Sequence, residues 1–144
     1  MDNDTETTNE DGKERSTIIY VDDVSTSLIT LKRRLSGKYE VYPAESSEVL
    51  FKTLKLVTPD IILLDVNMPE VDGYEVIKNL KENKYYANIP VIFFTSNNDR
   101  ESVLKGLSLG AVDYIIKPFE TNNLVECIDR MQFEEIVKKL SNLN

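Results

Sequence analysis

The segment Leu-Leu-Asp-Val-Asn-Met-Pro-Glu-Val-Asp-Gly, residues 63–73, combines the end of a strand, a loop and the start of a helix, and it decides the fold. The apolar run from Asp60 to Leu64 that leads into it has the composition of a strand buried on both faces of a parallel sheet. Pro69 marks a loop, and the residues from Gly73 to Glu82 have helical spacing. A charged residue, Asp65, therefore follows directly after a buried strand.

The same alternation of strand and helix continues on both sides of this segment. Strands are predicted at Thr17–Val21, Glu40–Ala44, Asp60–Leu64, Pro90–Phe94 and Val112–Ile116. Helices are predicted at Thr26–Ser36, Ser47–Leu56, Gly73–Glu82, Asp99–Leu109, and from Thr121 past Leu140. Because no hairpin turn separates consecutive strands, the pattern predicts an α/β fold: a doubly wound parallel sheet with helices on both faces.

Composition divides the chain into three parts. Its 144 residues suit one domain, and we assign the folded unit to residues 16–131. Residues 1–15 are polar and acidic, which predicts a disordered tail. Residues 132–144 extend the last helix or form a linker. Their apolar residues at helical spacing leave core packing, a partner surface and a linker open: Phe133, Ile136, Val137 and Leu140.

Charge and residue types exclude several functions. The net charge of −8 argues against direct nucleic-acid binding. No apolar run approaches the roughly 20 residues of a membrane span, and no signal peptide precedes the fold, so we expect a cytoplasmic protein. The sequence contains no histidine, which excludes histidine-based catalysis and histidine-ligated zinc. The single cysteine, Cys127, is expected to pack as a small buried group.

Chemically active side chains follow four of the predicted strands. They are three acids, a hydroxyl and an amine: Asp22, Asp23, Asp65, Thr95 and Lys117. In an open parallel sheet, ligands gather at this carboxyl edge, so we expect these side chains to lie together. Three carboxylates placed together repel, which raises some of their pKa values or demands a cation, and oxygen ligands suit Mg²⁺, for which Mn²⁺ can substitute. With a lysine beside them, the pattern predicts phosphoryl transfer to an aspartate.

Simpler structural interpretations exist for each residue taken alone. A single aspartate after a strand is often a helix cap or a turn residue. Thr95 could cap the following helix, although Asn98 and Asp99 are better placed for that role, and Tyr114 could be ordinary sheet packing. The combination of acids with Lys117 favours a functional site.

Four motifs together carry a family resemblance. They are Val-Asp-Asp (21–23), the segment 63–73 quoted above, Phe-Thr-Ser (94–96) and Asp-Tyr-Ile-Ile-Lys-Pro-Phe (113–119). From Ser16 to about Met131, the sequence resembles the receiver domain of two-component response regulators, including the chemotaxis regulators. The resemblance implies a flavodoxin-like three-layer sandwich with strand order 2-1-3-4-5.

The resemblance also implies a metal site. It makes Asp23 and Asp65 direct ligands of Mg²⁺ and adds the backbone carbonyl of Asn67. Asp22 is implied to act mainly through a water molecule.

The remaining implied roles concern the phosphoryl group. Asp65 is implied to be the phosphoacceptor, with Thr95 and Lys117 contacting the phosphoryl group. A cis bond is implied between Lys117 and Pro118. Tyr114 matches the aromatic residue that changes rotamer when the threonine moves toward phosphate.

As a receiver, the chain would be a signalling switch that catalyses only its own phosphotransfer and autodephosphorylation. A histidine kinase or phosphotransfer protein would donate the phosphoryl group. The face formed by the fourth helix, fifth strand and fifth helix would bind a downstream protein, an output domain missing from this chain, or a second copy in a homodimer.

Three alternative functions are weighed against this interpretation. An aspartyl-nucleophile phosphatase or hydrolase expects an Asp-x-Asp signature after its first strand, whereas Asp65-Val66-Asn67 follows the third. A phosphate-independent binding module would keep the fold without the chemistry. A P-loop nucleotide-binding protein would need a glycine-rich first loop, which this sequence lacks.

Overall fold

The computed structural model describes residues 14–118 and 120–143. Strands and helices alternate along the chain. The strands are β1 (Ser16–Val21), β2 (Tyr39–Ala44), β3 (Ile61–Leu64), β4 (Val91–Thr95) and β5 (Asp113–Ile116). The helices are α1 (Ser25–Leu35), α2 (Ser47–Leu54), α3 (Gly73–Glu82), α4 (Arg100–Ser108) and α5 (Thr121–Ser141). The predicted α/β alternation is confirmed, and the predicted strand bounds agree within one residue.

All five strands pair in parallel in the order β2-β1-β3-β4-β5. This is the order that the resemblance implies. The chain winds outward from β1 in both directions, so the strand order reverses between β1 and β3. The carboxyl ends of these two neighbouring strands define the crevice in which this type of sheet binds ligands.

Side chains that alternate along the strands fill two apolar layers, one on each face of the sheet. In β1, Ile18 and Tyr20 point to the layer that α1 and α5 cover, whereas Ile19 and Val21 point to the layer of α2 and α3. Successive side chains of a strand face opposite sides, so a strand covered on both faces must be apolar at every position. This explains the continuous apolar runs of the sequence.

Side-chain caps fix the helices that begin near the carboxyl edge of the sheet. Asp72 accepts a hydrogen bond from the Glu75 backbone N–H at the start of α3, and Asp99 does the same for Ser102 at the start of α4. A capping carboxylate satisfies backbone donors that the first turn leaves unpaired. The caps therefore hold the beginnings of these helices in place beside the edge where the aspartates lie.

Helix α5 continues well beyond the sheet. Met131 is its last buried residue, and Gln132 donates a hydrogen bond to the Ser16 hydroxyl at 2.8 Å. Beyond this point its apolar side chains are exposed, with Phe133 at 65% and Leu140 at 59% relative exposure. Core packing, one of the three interpretations left open for residues 132–144, is therefore wrong for these side chains.

Arg15 ties the start of the described chain to the end of α1, and Cys127 packs in the core. Of the segment 1–15, residues 1–13 lie outside the described part, and Arg15 donates a hydrogen bond to the Ser36 carbonyl oxygen at 2.8 Å. Cys127 is buried, as predicted, and burial followed by its hydrogen bond to Asp113 raises the pKa of its thiol to about 12. Within residues 14–118 and 120–143, no helix is long and apolar enough to cross a membrane.

Candidate functional site

Asp22 and Asp65 lie side by side because their strands are neighbours. Val21 pairs with Leu64 in the parallel register, so each aspartate is the first residue after its strand. The Asp65 backbone N–H donates to the Val21 carbonyl oxygen at 3.0 Å, which continues the ladder beyond the strand. Both residues are buried, Asp22 with 0% and Asp65 with 5% relative exposure. Two buried acids this close require compensating positive charge.

Lys117 supplies that charge from the end of β5. Its Nζ lies 2.7 Å from Asp22 Oδ2 and 3.3 Å from Asp65 Oδ2. Its backbone N–H donates to the Thr95 carbonyl oxygen at 2.8 Å, which fixes the chain at the end of β4. The peptide bond from Lys117 to Pro118 is cis, as the resemblance implies. Lys117 therefore bridges both acids, and its closer contact is with Asp22.

The Asp22 carboxylate is held by hydrogen bonds on both oxygens. Oδ1 accepts from the Val24 backbone N–H at 2.9 Å, and Oδ2 accepts from the Tyr20 hydroxyl as well as from Lys117. Burial, followed by this contact with Asp22, raises the pKa of Tyr20, so the phenol keeps its proton and donates. The sequence interpretation treated Tyr20 only as part of an apolar strand. Its spacing from Asp22 was an available signal, because side chains two apart in a strand lie on one face.

Opposing influences act on the Asp65 carboxyl group. Burial has the largest effect and raises its pKa, and nearby Asp22 acts in the same direction. The Asn67 backbone N–H, which donates to Asp65 Oδ1 at 3.1 Å, and the Lys117 ammonium both lower it. The pKa of Asp65 remains above its usual value. Additional positive charge beside Asp65 would therefore be favourable.

The acidic cluster fits an oxygen-ligated cation. One carboxylate oxygen from each of Asp22, Asp23 and Asp65 can be chosen so that the three lie within 4.8 Å of one another. Asp22 and Asp65 are buried, whereas Asp23 is exposed, so the cluster is open to solvent on one side. Hard oxygen donors beside an open face suit Mg²⁺, which keeps several waters or phosphate oxygens in its shell. The three predicted carboxylate donors are thus brought together.

Thr95 and two asparagines lie on the other side of Asp65. Thr95 is fully buried at the end of β4, and its Oγ1 accepts a hydrogen bond from Asn67 Nδ2 at 3.3 Å. Asn67 and Asn97 exchange side-chain hydrogen bonds of 3.0 and 3.1 Å. Asp99, not Thr95, caps α4 by accepting from the Ser102 backbone N–H. The capping alternative for Thr95 is therefore wrong.

Tyr114 lies apart from the acidic cluster, in a pocket between β4, α3 and α4. Its ring centroid is 5.7 Å from that of Phe93. The ring of Tyr74 also packs on Phe93, with the centroids 5.5 Å apart. A Cβ atom on Gly106 would lie 3.1 Å from Tyr114 Cε2, so the glycine leaves room for the ring. The Tyr114 hydroxyl is buried, and no residue in the described ranges meets hydrogen-bond geometry with it.

Known proteins share this fold and these motifs. The family described as the response regulator receiver domain matches residues 18–129. A probable cyclic di-GMP phosphodiesterase of Vibrio cholerae is 40% identical over 102 residues, which are 71% of this chain and 23% of that protein. The phosphate regulon transcriptional regulatory protein PhoB of Pseudomonas aeruginosa is 34% identical over 76% of this chain and 48% of its own length. The structure of the Vibrio cholerae chemotaxis protein CheY4 matches with a TM-score of 0.76 and 26% identity, covering 81% of this chain and 98% of CheY4.

This chain belongs to the response regulator receiver domain family. It is accordingly a phosphorylation-dependent switch of two-component signalling. The chain spans less than half the length of the two sequence relatives described above.

Proposed function

We propose that Asp65 is the phosphoacceptor of this switch and that a histidine kinase or phosphotransfer protein is the donor. The observation that carries the proposal is the Lys117 ammonium, held between the buried Asp22 and Asp65 carboxylates at 2.7 and 3.3 Å. A cation fixed at this point stabilises an incoming phosphoryl group as well as the acids themselves. The neighbouring Asp23 leaves the cluster open on the side from which a donor must approach.

The reaction is an in-line displacement at phosphorus. An oxygen of the ionised Asp65 carboxylate forms the new bond, while the bond from phosphorus to the donor's imidazole nitrogen breaks and that nitrogen keeps the electron pair. Lys117 then donates to a phosphoryl oxygen, and the Thr95 hydroxyl donates to another. Asn67 holds Asp65 Oδ1 through its backbone N–H, and Oδ2, which lies 3.3 Å from Lys117 before the transfer, attacks as the lysine turns to the phosphoryl group.

Mg²⁺ belongs to the proposal, and Mn²⁺ can substitute for it. Asp23, Asp65 and the Asn67 backbone carbonyl would hold the ion directly, and Asp22 would act mainly through a water molecule. When bound, the ion would neutralise charge on the transferring oxygens. The grouped carboxylate oxygens support this assignment.

The output of the switch is proposed on the face formed by α4, β5 and α5. Phosphate draws Thr95 inward and shifts the population of Tyr114 toward its pocket on Phe93, which changes the affinity of this face for a partner. That partner is a downstream protein, an output domain joined to the receiver, or a second copy of the chain. Neighbouring aromatic contacts of Tyr114 support this route.

The organisation of the chain forms part of the same proposal. Residues 16–131 are the receiver, and 132–144 are an extension of the last helix or a linker. The chain acts in the cytoplasm and catalyses only its own phosphotransfer and autodephosphorylation.

The proposal is tested by intact-mass measurement after incubation with Mg²⁺ and phosphoramidate, a small phosphoryl donor with a P–N bond. Wild-type protein should gain one phosphoryl group, and Asp65→Asn should gain none. Asp72→Asn, which alters an exposed capping acid outside the cluster, should behave as wild type. Equal labelling of the Asp65 variant, or equal labelling of wild type when a chelator is present from the start, would contradict the proposal.

A further inference from the structure

Asp22 has a hydrogen-bond donor that the proposed reaction does not use. The Tyr20 hydroxyl donates to Asp22 Oδ2, the same oxygen that receives the Lys117 ammonium at 2.7 Å. Tyr20 and Asp22 both have 0% relative exposure, so bulk solvent does not reach the contact between the phenol and the carboxylate. A buried carboxylate oxygen that lost both donors would be strongly destabilised.

The position of the phenol is fixed from behind. The Tyr20 ring meets the Phe94 ring edge to face, with centroids 5.5 Å apart and planes at 85°. Lys117 Nζ lies 5.2 Å from the centroid of that same Phe94 ring. The hydroxyl is therefore aimed at Asp22 by packing within the sheet, and the lysine sits over the same aromatic support.

We propose that Tyr20 is a positioning residue of the cation site, and the inference rests on the proposed function. Its hydroxyl orients the Asp22 carboxylate and keeps Oδ2 hydrogen-bonded when Lys117 turns toward the phosphoryl group. Without this hydroxyl, Asp22 depends on Lys117 for its charge-compensating contact at Oδ2. The lysine would then be held at Asp22, and the acidic cluster would be less well oriented for a divalent ion.

The direct test measures metal binding in the unphosphorylated protein. Mn²⁺ is added to wild-type protein and to Tyr20→Phe, and the free ion is counted by electron paramagnetic resonance. Hydrogen-bond partners of metal ligands are typically worth about tenfold to a hundredfold in affinity, and Asp22 acts mainly through a water molecule, so we expect Tyr20→Phe to bind about tenfold more weakly, at the low end of this range. Phenylalanine keeps the ring that packs on Phe94, which protects the fold. Tyr39→Phe is the matched control, because its hydroxyl donates to Asp129 outside the acidic cluster and its loss should leave Mn²⁺ affinity unchanged.

A double-mutant cycle separates positioning from a general loss of stability. If Tyr20 acts through Asp22, adding Tyr20→Phe to Asp22→Asn should weaken Mn²⁺ binding no further than Asp22→Asn alone. If the losses of Mn²⁺ affinity in the two single variants multiplied in the double variant, the inference would be wrong. It would also be wrong if wild type and Tyr20→Phe bound Mn²⁺ equally well. Wild-type protein that bound no Mn²⁺ would contradict the proposed function itself and this inference with it. Binding by wild type together with an unaffected Tyr20→Phe variant would overturn the inference alone.

Discussion

The side-chain amides of Asn67 and Asn97 form a reciprocal pair, with each Nδ2 donating to the other's Oδ1 at 3.0 and 3.1 Å. The pair joins the loop after β3 to the loop after β4. Asn67 also donates to the buried Thr95 hydroxyl at 3.3 Å. The two amides therefore bridge the loops that follow Asp65 and Thr95, and we expect them to restrict the approach of a hydrolytic water.

Removal of one amide should shorten the life of the phosphorylated state. In Asn97→Ala the pair is lost and water reaches the acyl phosphate more easily, so we expect dephosphorylation several times faster than in wild type. The free energy of unfolding should change by less than about 0.5 kcal/mol, as is usual for surface substitutions. The protein is first phosphorylated with phosphoramidate and Mg²⁺, the donor is then removed by exchange into fresh Mg²⁺ buffer, and the intact mass is followed against time. Asn98→Ala, at the exposed neighbouring position, is the control. An unchanged or longer lifetime in Asn97→Ala would show that the pair does not restrict water.

Substitution of Lys117 tests its role as the cation between two buried acids. Lys117→Met leaves Asp22 and Asp65 without their ammonium partner, so the free energy of unfolding should fall by about 2 kcal/mol in the absence of divalent metal. Urea denaturation measures this loss, and added Mg²⁺ should recover more stability in the variant than in wild type. Lys38→Met is the matched control, because Lys38 pairs with Asp129 at 3.9 Å on the surface, where an ion pair contributes little. A Lys117 variant as stable as wild type would show that the ammonium does not compensate the charge of the two buried acids.

The raised pKa of Asp65 predicts a pH dependence with a definite sign. The folded state holds the Asp65 proton more tightly than the unfolded chain does. The free energy of unfolding therefore falls as pH rises from the ordinary aspartate pKa of the unfolded chain through the raised pKa of the folded state. At neutral pH without Mg²⁺, Asp65→Asn should therefore be more stable than wild type. The difference should shrink as pH falls to about 4, near the usual aspartate pKa.

Asp99→Asn provides a control of opposite sign for this measurement. Hydrogen bonds from Ser102 lower the pKa of Asp99, so its contribution favours the fold at neutral pH and is lost as pH falls through the lowered pKa. Paired urea titrations at neutral and acidic pH measure both variants. An Asp65→Asn variant that is less stable than wild type at neutral pH would show that Asp65 is not under electrostatic strain.

Tyr114 is expected to link phosphorylation to the α4 surface. Tyr114→Ala should accept phosphate normally, because the ring packs on Phe93 and its hydroxyl donates no hydrogen bond to the predicted phosphoacceptor, but phosphorylation should no longer change hydrogen exchange in α4. Mass-detected hydrogen exchange of Arg100–Ser108, with and without phosphoramidate and Mg²⁺, measures the effect. Tyr85→Ala, at a position with 77% exposure, should respond like wild type. A normal response of α4 in the Tyr114 variant would show that this residue does not link phosphorylation to the α4 surface.

The sequence predicts the grouping of the acids because this grouping depends only on backbone geometry. Carboxyl ends of parallel strands meet at one edge, so Asp22, Asp65 and Lys117 had to approach one another once the strands were recognised. The closer contact of Lys117 with Asp22 could not be predicted, since it depends on the lysine rotamer and on which oxygen the Tyr20 hydroxyl occupies. Packing around Phe94 determines that arrangement.

Periodicity also gives an incomplete account of α5. Phe133 and Leu140 share one face of α5, but Phe133 lies about two and a half turns after Leu124, so this face is opposite the buried one formed by Leu124, Ile128 and Met131. Met131 is the last buried residue of the helix, and the apolar side chains of the opposite face are exposed. Side-chain partners and the limits of the core thus required the three-dimensional arrangement.

Borohydride reduction tests the phosphorylation of Asp65 most directly. Wild-type protein is incubated with phosphoramidate and Mg²⁺, and borohydride then reduces any aspartyl phosphate to homoserine, which peptide mass spectrometry locates. We expect homoserine at position 65, dependent on both donor and Mg²⁺ and absent from the other aspartates. Homoserine at Asp22 or Asp23, or none at position 65 in a folded protein that gains a phosphoryl group, would contradict the assignment of Asp65.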